Sequence, residues 1–335
     1  MMLRQAKLVF FYSLILLCCL LVGCSKPSKT IQMGYNPWIG DQPIVIAQEK
    51  GFFKDEGVDV KVHYFTALSD VMTNFAENKI DVMLSTLNEA LLLVDKGEKL
   101  KIISLVDYSN GADAIIAKKS IRSIRDLKGK KIGVEIGSIS HFTVLKALKQ
   151  ANISSNDVTL VNLSVQEGMQ EFKKGSLDAL ASWSPYMDQA IQEGGHVIFS
   201  SRDIPGEIID VIVIRQSLLD EDPEACYKII SAYLKTLAWF DKNINEGLEI
   251  ISKSIKTITI AELKEQLKGV KLTGLSDNLV AFGTPQAKGT IYSATQSFAD
   301  FLLEQKLIAN PINTEEIIYP NFIWEYQKQY AINSQ

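Results

Sequence analysis

From Ile31 onward, short apolar runs alternate with helical stretches, and that alternation limits the chain to a small set of folds. Ile31 to Tyr35, Val58 to Val62, Ile80 to Leu84 and Leu100 to Val106 read as strands. Between them lie helical segments: Ile44 to Lys50, stopped by Gly51, then Leu68 to Asn78, then Leu87 to Lys96, stopped by Gly97. Strands alternating with helices at this spacing imply a mostly parallel sheet flanked by helices. The pattern restarts after a turn at Asp126 to Lys131. Strands follow at Ile132 to Glu135, Val158 to Leu163, Leu177 to Ala181 and Val197 to Phe199, with helices at Ser138 to Gln150, Val165 to Lys174 and Pro185 to Glu193.

The two sets echo each other. Phe75, Ile80, Asp81 and Ser85 recur at the same spacing as Phe172, Leu177, Asp178 and Ser182. Asp113 to Lys118 and Asp210 to Arg215 are similar strands, acidic at the start and basic at the end, flanking the second set. One leading out and one leading back would make the second lobe an insertion in the first. The expected architecture is α/β: two lobes, each a mostly parallel sheet flanked by helices, joined by two crossing hinge strands. The boundaries are 31–113 for the first part of lobe 1, 114–210 for lobe 2, and 211–335 for the return part of lobe 1 and a largely helical C-terminal stretch. Pro223 to Asn243, Ile260 to Lys268 and Thr290 to Gln305 are its clearest helices. Ligands of open α/β sheets bind outside the carboxyl ends of the strands, and clefts between domains are the usual small-molecule sites.

The first 23 residues read as an address and not as fold. Arg4 and Lys7 give a short positive start, and Leu8 to Val22 is an apolar run too short for a comfortable membrane span, which needs about 20 residues. The run ends in Leu21-Val22-Gly23-Cys24, which resembles a bacterial lipobox, so a lipoprotein signal peptide at 1–23 and lipidation of Cys24 are expected. Residues 24–30 read as a polar tether. Of the four cysteines, Cys18 and Cys19 leave with the signal and Cys24 carries lipid. Cys226 is then alone, in a helical pattern, and no intrachain disulfide is expected. His63, His141 and His196 are scattered singly, so no Cys/His metal cluster is expected, nor any cofactor.

Composition narrows the functional classes. With 47% hydrophobic and 22% charged residues, the chain is no disordered segment. A formal net charge of −4 argues against nucleic acid as a partner, which needs clustered Lys and Arg.

Several segments carry a family resemblance. Pro43, Gln48 and Lys50-Gly51-Phe52-Phe53-Lys54, followed by Glu56-Gly57-Val58-Asp59-Val60, resemble the opening of solute-binding proteins for nitrate, taurine and aliphatic sulfonates. The same superfamily holds binding proteins for thiamine-pyrimidine precursors. Asp126 to Val134 is similar to that family's entry into lobe 2, and Asp178 to Pro185 to its later strand and loop. The resemblance implies a type II periplasmic-binding-protein clamshell: a monomeric lipoprotein outside the cytoplasm, closing on a small organic solute and handing it to an ABC permease. The same fold also serves as the receptor half of signalling proteins, which stays open as an alternative. A pyrimidine synthase for thiamine shares the superfamily, but it relies on a cysteine-rich motif that this chain lacks. No Gly-x-Ser-x-Gly elbow, P-loop or Gly-x-Gly-x-x-Gly occurs either, so no enzymatic activity is expected.

Loops at strand ends supply the candidate ligand contacts. Trp38 and Gly40 follow the first strand; Trp38 stacks on a ligand or packs under the loop. Ser85, Thr86 and Asn88 open one helix, and Ser138, Ser140 and His141 open another from the facing lobe. Helix starts bind anions well, and the same hydroxyls serve as N-caps. Tyr108, Ser109 and Asn110 precede the first crossing strand, and Trp183 and Tyr186 follow the strand after Asp178. Asp210 begins the return strand. In taurine-type relatives an acid in a similar position faces the ligand amine, so Asp210 holds a cation or else stabilises the hinge. Asp107 and Asp113 carry the same two readings. No Arg or Lys falls in these loops, which favours an organic or zwitterionic solute over a bare inorganic anion.

Overall fold

The apolar runs pair into two sheets. In the computed structural model, which describes residues 29–256 and 258–333, eleven strands build them. They are β1 (Ile31–Tyr35), β2 (Val60–Tyr64), β3 (Val82–Thr86), β4 (Leu100–Ser109), β5 (Asp113–Ala117), β6 (Lys131–Val134), β7 (Thr159–Asn162), β8 (Ala179–Trp183), β9 (His196–Ser200), β10 (Ile209–Arg215) and β11 (Val270–Leu272). The first sheet has the order β11-β4-β10-β3-β1-β2 and the second β7-β6-β8-β5-β9. The expected signal peptide and the lipidation site Cys24 lie outside the described residues, as does most of the tether. From Ile31 on, the chain forms one compact unit.

Most strands of each sheet run the same way. In the first sheet β10 and β11 are reversed, and in the second only β5 is. Two of these reversed strands, β5 and β10, are the first reached after the chain changes sheet, so each enters against the direction of its neighbours. The changes of sheet are short: residues 110–112 lead out and residues 201–208 lead back. They are tied together. The buried Ser201 hydroxyl accepts from Ser109 Oγ at 2.8 Å and from the Gly111 amide at 2.5 Å. Ser109 N donates to Ile208 O at 3.1 Å. Gly111 has φ +112°, and a Cβ there would stand 2.8 Å from the Arg202 guanidinium, so only glycine fits the crossing.

The sequence echo is structural. Asp81 Oδ2 accepts from Gln32 N at 2.9 Å at the start of β1, and Asp178 Oδ2 accepts from Lys131 N at 3.0 Å at the start of β6. Ser85 and Ser182 are both buried, one residue before the end of β3 and β8. Phe75 and Phe172 are buried at the ends of equivalent helices, α2 (Leu68–Ala76; α1 is Pro43–Glu49) and α5 (Val165–Lys173; α3 is Leu87–Asp95 and α4 is Ile139–Gln150). Both helices have apolar residues spaced to bury one face against their sheet.

The C-terminal stretch is helical as expected, and it adds more than helices. Val270–Leu272 pairs with the far edge of β4, a three-residue strand too short to stand out in the sequence. The helix Thr290–Glu304 packs on α3 and also reaches the second lobe, where Phe142 lies 4.4 Å from Phe298 and 5.0 Å from Phe301 between ring centroids. Cys226 is a free, fully buried thiol, pushed up to about 12 by burial and then by Asp222. Among the described residues no helix is long and apolar enough to cross a membrane.

Phe75 is fully buried, and the Arg215 guanidinium sits 4.1 Å above its ring. Removing a buried Phe side chain costs about 3–5 kcal/mol when the cavity cannot collapse. Phe75→Ala is therefore expected to lower the unfolding free energy by that amount, read as a lower urea midpoint at unchanged slope. A loss below about 1 kcal/mol would show that the site collapses.

Candidate functional site

Both sheets aim the carboxyl ends of their parallel strands at one cavity of about 400 Å³, inside the range of about 300–1,000 Å³ typical of small-molecule sites. Asn36 follows β1, Thr66 to Ser69 follow β2, and Thr86 ends β3. From the other side, Glu135 follows β6, Ser164 follows β7 and Trp183 ends β8. The reversed strands contribute at their starts, through Asp113 on β5 and Asp210 on β10.

Of the residues expected from sequence, Trp38, Thr86, Ser138, Ser140, Trp183, Tyr186 and Asp210 line this cavity. The Trp38 amide donates to Asn36 Oδ1 at 2.8 Å, which turns the chain so that the indole faces inward. Its Nε1 donates to Asp107 Oδ2 at 2.9 Å. Trp38 is thus buried and also lines the cavity. Trp183 meets Trp38 edge-on at 6.3 Å and Tyr186 at 5.3 Å, an aromatic wall shared by both lobes. Gln166 Nε2 donates to the Tyr186 hydroxyl at 2.9 Å and fixes the end of that wall.

The other seven lie outside the lining, each for a local reason. Gly40 packs behind it, where a Cβ would come within 1.7 Å of Asp107 Oδ2. Ser85 points back into the sheet and donates to Thr86 O at 3.4 Å. Asn88 Nδ2 donates to Gly137 O at 2.8 Å, which ties α3 to the start of α4 in the other lobe. Tyr108 faces the β11 edge, with Lys271 Nζ 6.0 Å from its ring. Ser109 is taken by the crossing, and Asn110 is exposed, its amide donating to Gly269 O at 2.7 Å. His141 is buried one turn into α4, where Nδ1 accepts from the Gly137 amide at 3.3 Å and the ring meets Phe301 edge-on at 6.0 Å. Burial lowers its pKa.

Sequence reasoning missed Glu89, Glu135, Ser164, Gln166, Thr66 and Ser69, all of which line the cavity. The signal for Glu89 was present but reads two ways. Thr86-x-x-Glu89 is the spacing of a helix start, and the Glu89 amide does reach Thr86 Oγ1 at 3.5 Å. The carboxylate, however, turns inward and is only 6% exposed.

The electrostatics follow from burial. Asp41, Asp107 and Asp210 form a run of acids from behind the cavity to its wall, with Asp107 and Asp210 opposite each other on β4 and β10. Burial, then repulsion from Asp107, Asp41, Asp113 and Glu89, holds Asp210 well above the ordinary carboxylate range. Burial likewise pushes Asp107 and Glu89 up to about 7 and Asp113 to about 6. Glu135 is raised too, by burial and then by Glu167. Among the described residues no group of three or more His, Cys, Asp or Glu is placed to hold a metal ion.

Two lobes around a solute-sized cavity define the class of fold: the periplasmic-binding-protein clamshell. The crystal structure of the periplasmic aliphatic sulphonate binding protein of Escherichia coli superposes with a TM-score of 0.74 at 17% identity, covering 89% of this chain and 100% of that one. A model of the NMT1-like family matches residues 25–252, and the chain belongs to the NMT1-like family. Among curated relatives, the "Putative aliphatic sulfonates-binding protein" of Bacillus subtilis (strain 168) is 26% identical over 321 residues, 91% of this chain and 92% of that protein. The taurine-binding periplasmic protein of Escherichia coli (strain K12) is 26% identical over 201 residues, 58% of this chain and 61% of that one.

A carboxyl whose folded pKa is raised destabilises the fold as it ionises. For Glu89 that loss sets in above its ordinary value of 4.5 and is complete above about 7. A shift of this size corresponds to on the order of 3 kcal/mol. Glu89→Gln is therefore expected to raise the melting temperature of the empty protein by several degrees at pH 8 and to leave it unchanged at pH 4. A variant that melts below the native chain at pH 8 would show that the carboxylate is not strained.

Proposed function

We propose that this chain is the solute-binding component of an ABC importer. It works outside the cytoplasm, as a monomer held to the membrane by lipid on Cys24. Residues 31–112 and 209–335 build one lobe and residues 113–208 the other, so the expected breaks after 113 and 210 fall one and two residues earlier, where β5 and β10 begin. The lobes close on a small organic solute, and the closed form docks on the permease, where opening releases the solute.

The observation that carries this reading is the cavity itself. Both sheets contribute to it equally, the chain passes between them by two short crossings, and no catalytic grouping is needed to account for its lining. A ligand that touches both walls binds the closed form better than the open one, which is the differential affinity that hinge closure requires. Its contacts are Trp38, Thr86, Ser138, Ser140, Trp183, Tyr186 and Asp210, joined by Glu89, Asp113 and Glu135. Family membership and the relatives named for sulfonates and taurine support the same reading.

Thermal unfolding of the lipid-free chain against a panel of solutes tests it. The panel holds taurine, alkanesulfonates, nitrate, amino acids, polyamines, aromatic amines and aminopyrimidines. A solute at 100 times its Kd should add about 2.7 kcal/mol, a shift of several degrees. The same solute should shrink the radius of gyration in small-angle scattering. A panel without any shift, or a shift without compaction, would overturn capture by closure.

A further inference from the structure

The charge of the cavity is one-sided. Glu89, Asp113, Glu135 and Asp210 line it, and no lysine, arginine or histidine does so among the described residues. The acids come from both lobes: Glu89 on α3 and Asp210 on β10 from one, Asp113 on β5 and Glu135 after β6 from the other. They are near enough to repel one another, since Asp113 and Glu135 act on Glu89, and Asp113 and Glu89 act on Asp210.

Glu89 supplies the second, independent observation. It is only 6% exposed, and its Oε2 is buried without a hydrogen-bond partner among the described residues. Its Oε1 has a long contact with Asn88 Nδ2, at 3.4 Å. A buried acceptor left unmatched costs about 1–3 kcal/mol, and more when charged, so folded proteins rarely keep one without a use. Asp210 is buried and stands opposite another acid, Asp107, across β10 and β4, so its neighbour repels it. Both groups lack what a bound ammonium would bring: a positive charge and several N–H donors.

The aromatic wall fits the same occupant. Trp38, Trp183 and Tyr186 are chained edge to face, which leaves ring surface for an apolar body, and ring faces attract cations. The helix starts at the rim argue the other way, because α3, α4 and α5 begin there with positive dipole ends. Their caps already use first-turn amides, however. Thr86 takes Glu89 N, Ser138 takes Ser140 N, and Ser164 takes Glu167 N. Each helix end amounts to about half a charge, while each ionised carboxylate is a full one.

We infer that the solute captured here is an organic cation, with its ammonium group held between Glu89 and Asp210 and its apolar body against Trp38, Trp183 and Tyr186. This rests on the solute-binding reading above and narrows it to one charge class.

Calorimetric titration at pH 8 with probes matched in skeleton tests it. The probes are phenethylamine, 2-phenylethanol and 2-phenylethanesulfonate, with tryptamine and putrescine as larger and smaller amines and taurine as a zwitterion. At least one amine is expected to bind about 100-fold tighter than its neutral and anionic counterparts. Glu89→Gln and Asp210→Asn should each weaken that amine at least about tenfold, the loss of a charged hydrogen bond. Glu89→Gln should melt higher than the native chain without ligand, which separates lost binding from lost folding. Taurine or the sulfonate binding where the amines do not would overturn the cation class and leave solute capture standing. Unchanged amine affinity in Glu89→Gln would overturn the assigned seat. If no probe and no member of the wider panel binds, both readings fall together.

Discussion

Carboxyl groups withdrawn from water, with no basic partner among the described residues, set the terms for the rest of this structure. Asp41, Asp107, Asp113, Asp210 and Glu89 are all buried, and burial is the largest influence on each of them. Ionising such groups together is unfavourable, and the fold answers with neutral donors. The Trp38 indole serves Asp107. Gly40 is part of the same arrangement, because any side chain there would displace the Asp107 carboxylate from the indole. The turn from Asn36 to Gln42 is held by side-chain bonds to backbone, Gln42 Nε2 reaching Asn36 O and Trp38 O at 3.1 and 2.8 Å. Cavity wall and acid support are thus one piece of packing.

The two crossings give this piece its geometry. Ser201 draws both connections together with one hydroxyl, and Gly111 lets them approach closely. Asp113 and Asp210 stand just beyond these crossings, which is why two acids from different sheets share one cavity. Asn88 on α3 and Phe298 on the Thr290–Glu304 helix add contacts between the lobes on either side.

Much of the architecture was legible in the sequence, because strand, stop and helix signals recur with few interruptions. The repeated Phe, Asp and Ser positions marked equivalent places in two sheets. Elements were misjudged where polarity and burial part company. β4 runs on through Asp107, Tyr108 and Ser109, past the point where the apolar run ends, since Asp107 is buried despite its charge. β11 is only three residues long and owes its existence to the free edge of β4. In the site, residues at strand ends could be named, since topology puts strand ends at the cleft. Which side of a helix start faces inward could not. Asn88 and His141 turn behind the wall, while Glu89, next to Asn88, faces the cavity. One residue is about 100° of rotation in a helix, and a single sequence does not reveal the phase.

The position of β10 bears on how the molecule assembles. It lies between β3 and β4, in the middle of the first sheet. Those two strands come early in the chain, yet they do not pair with each other; each waits for residues 209–215. All five strands of the second sheet, by contrast, lie between residues 113 and 200. A chain emerging from its N-terminus can therefore finish the second sheet while the first is still split in two. The half of the molecule begun first is the half completed last.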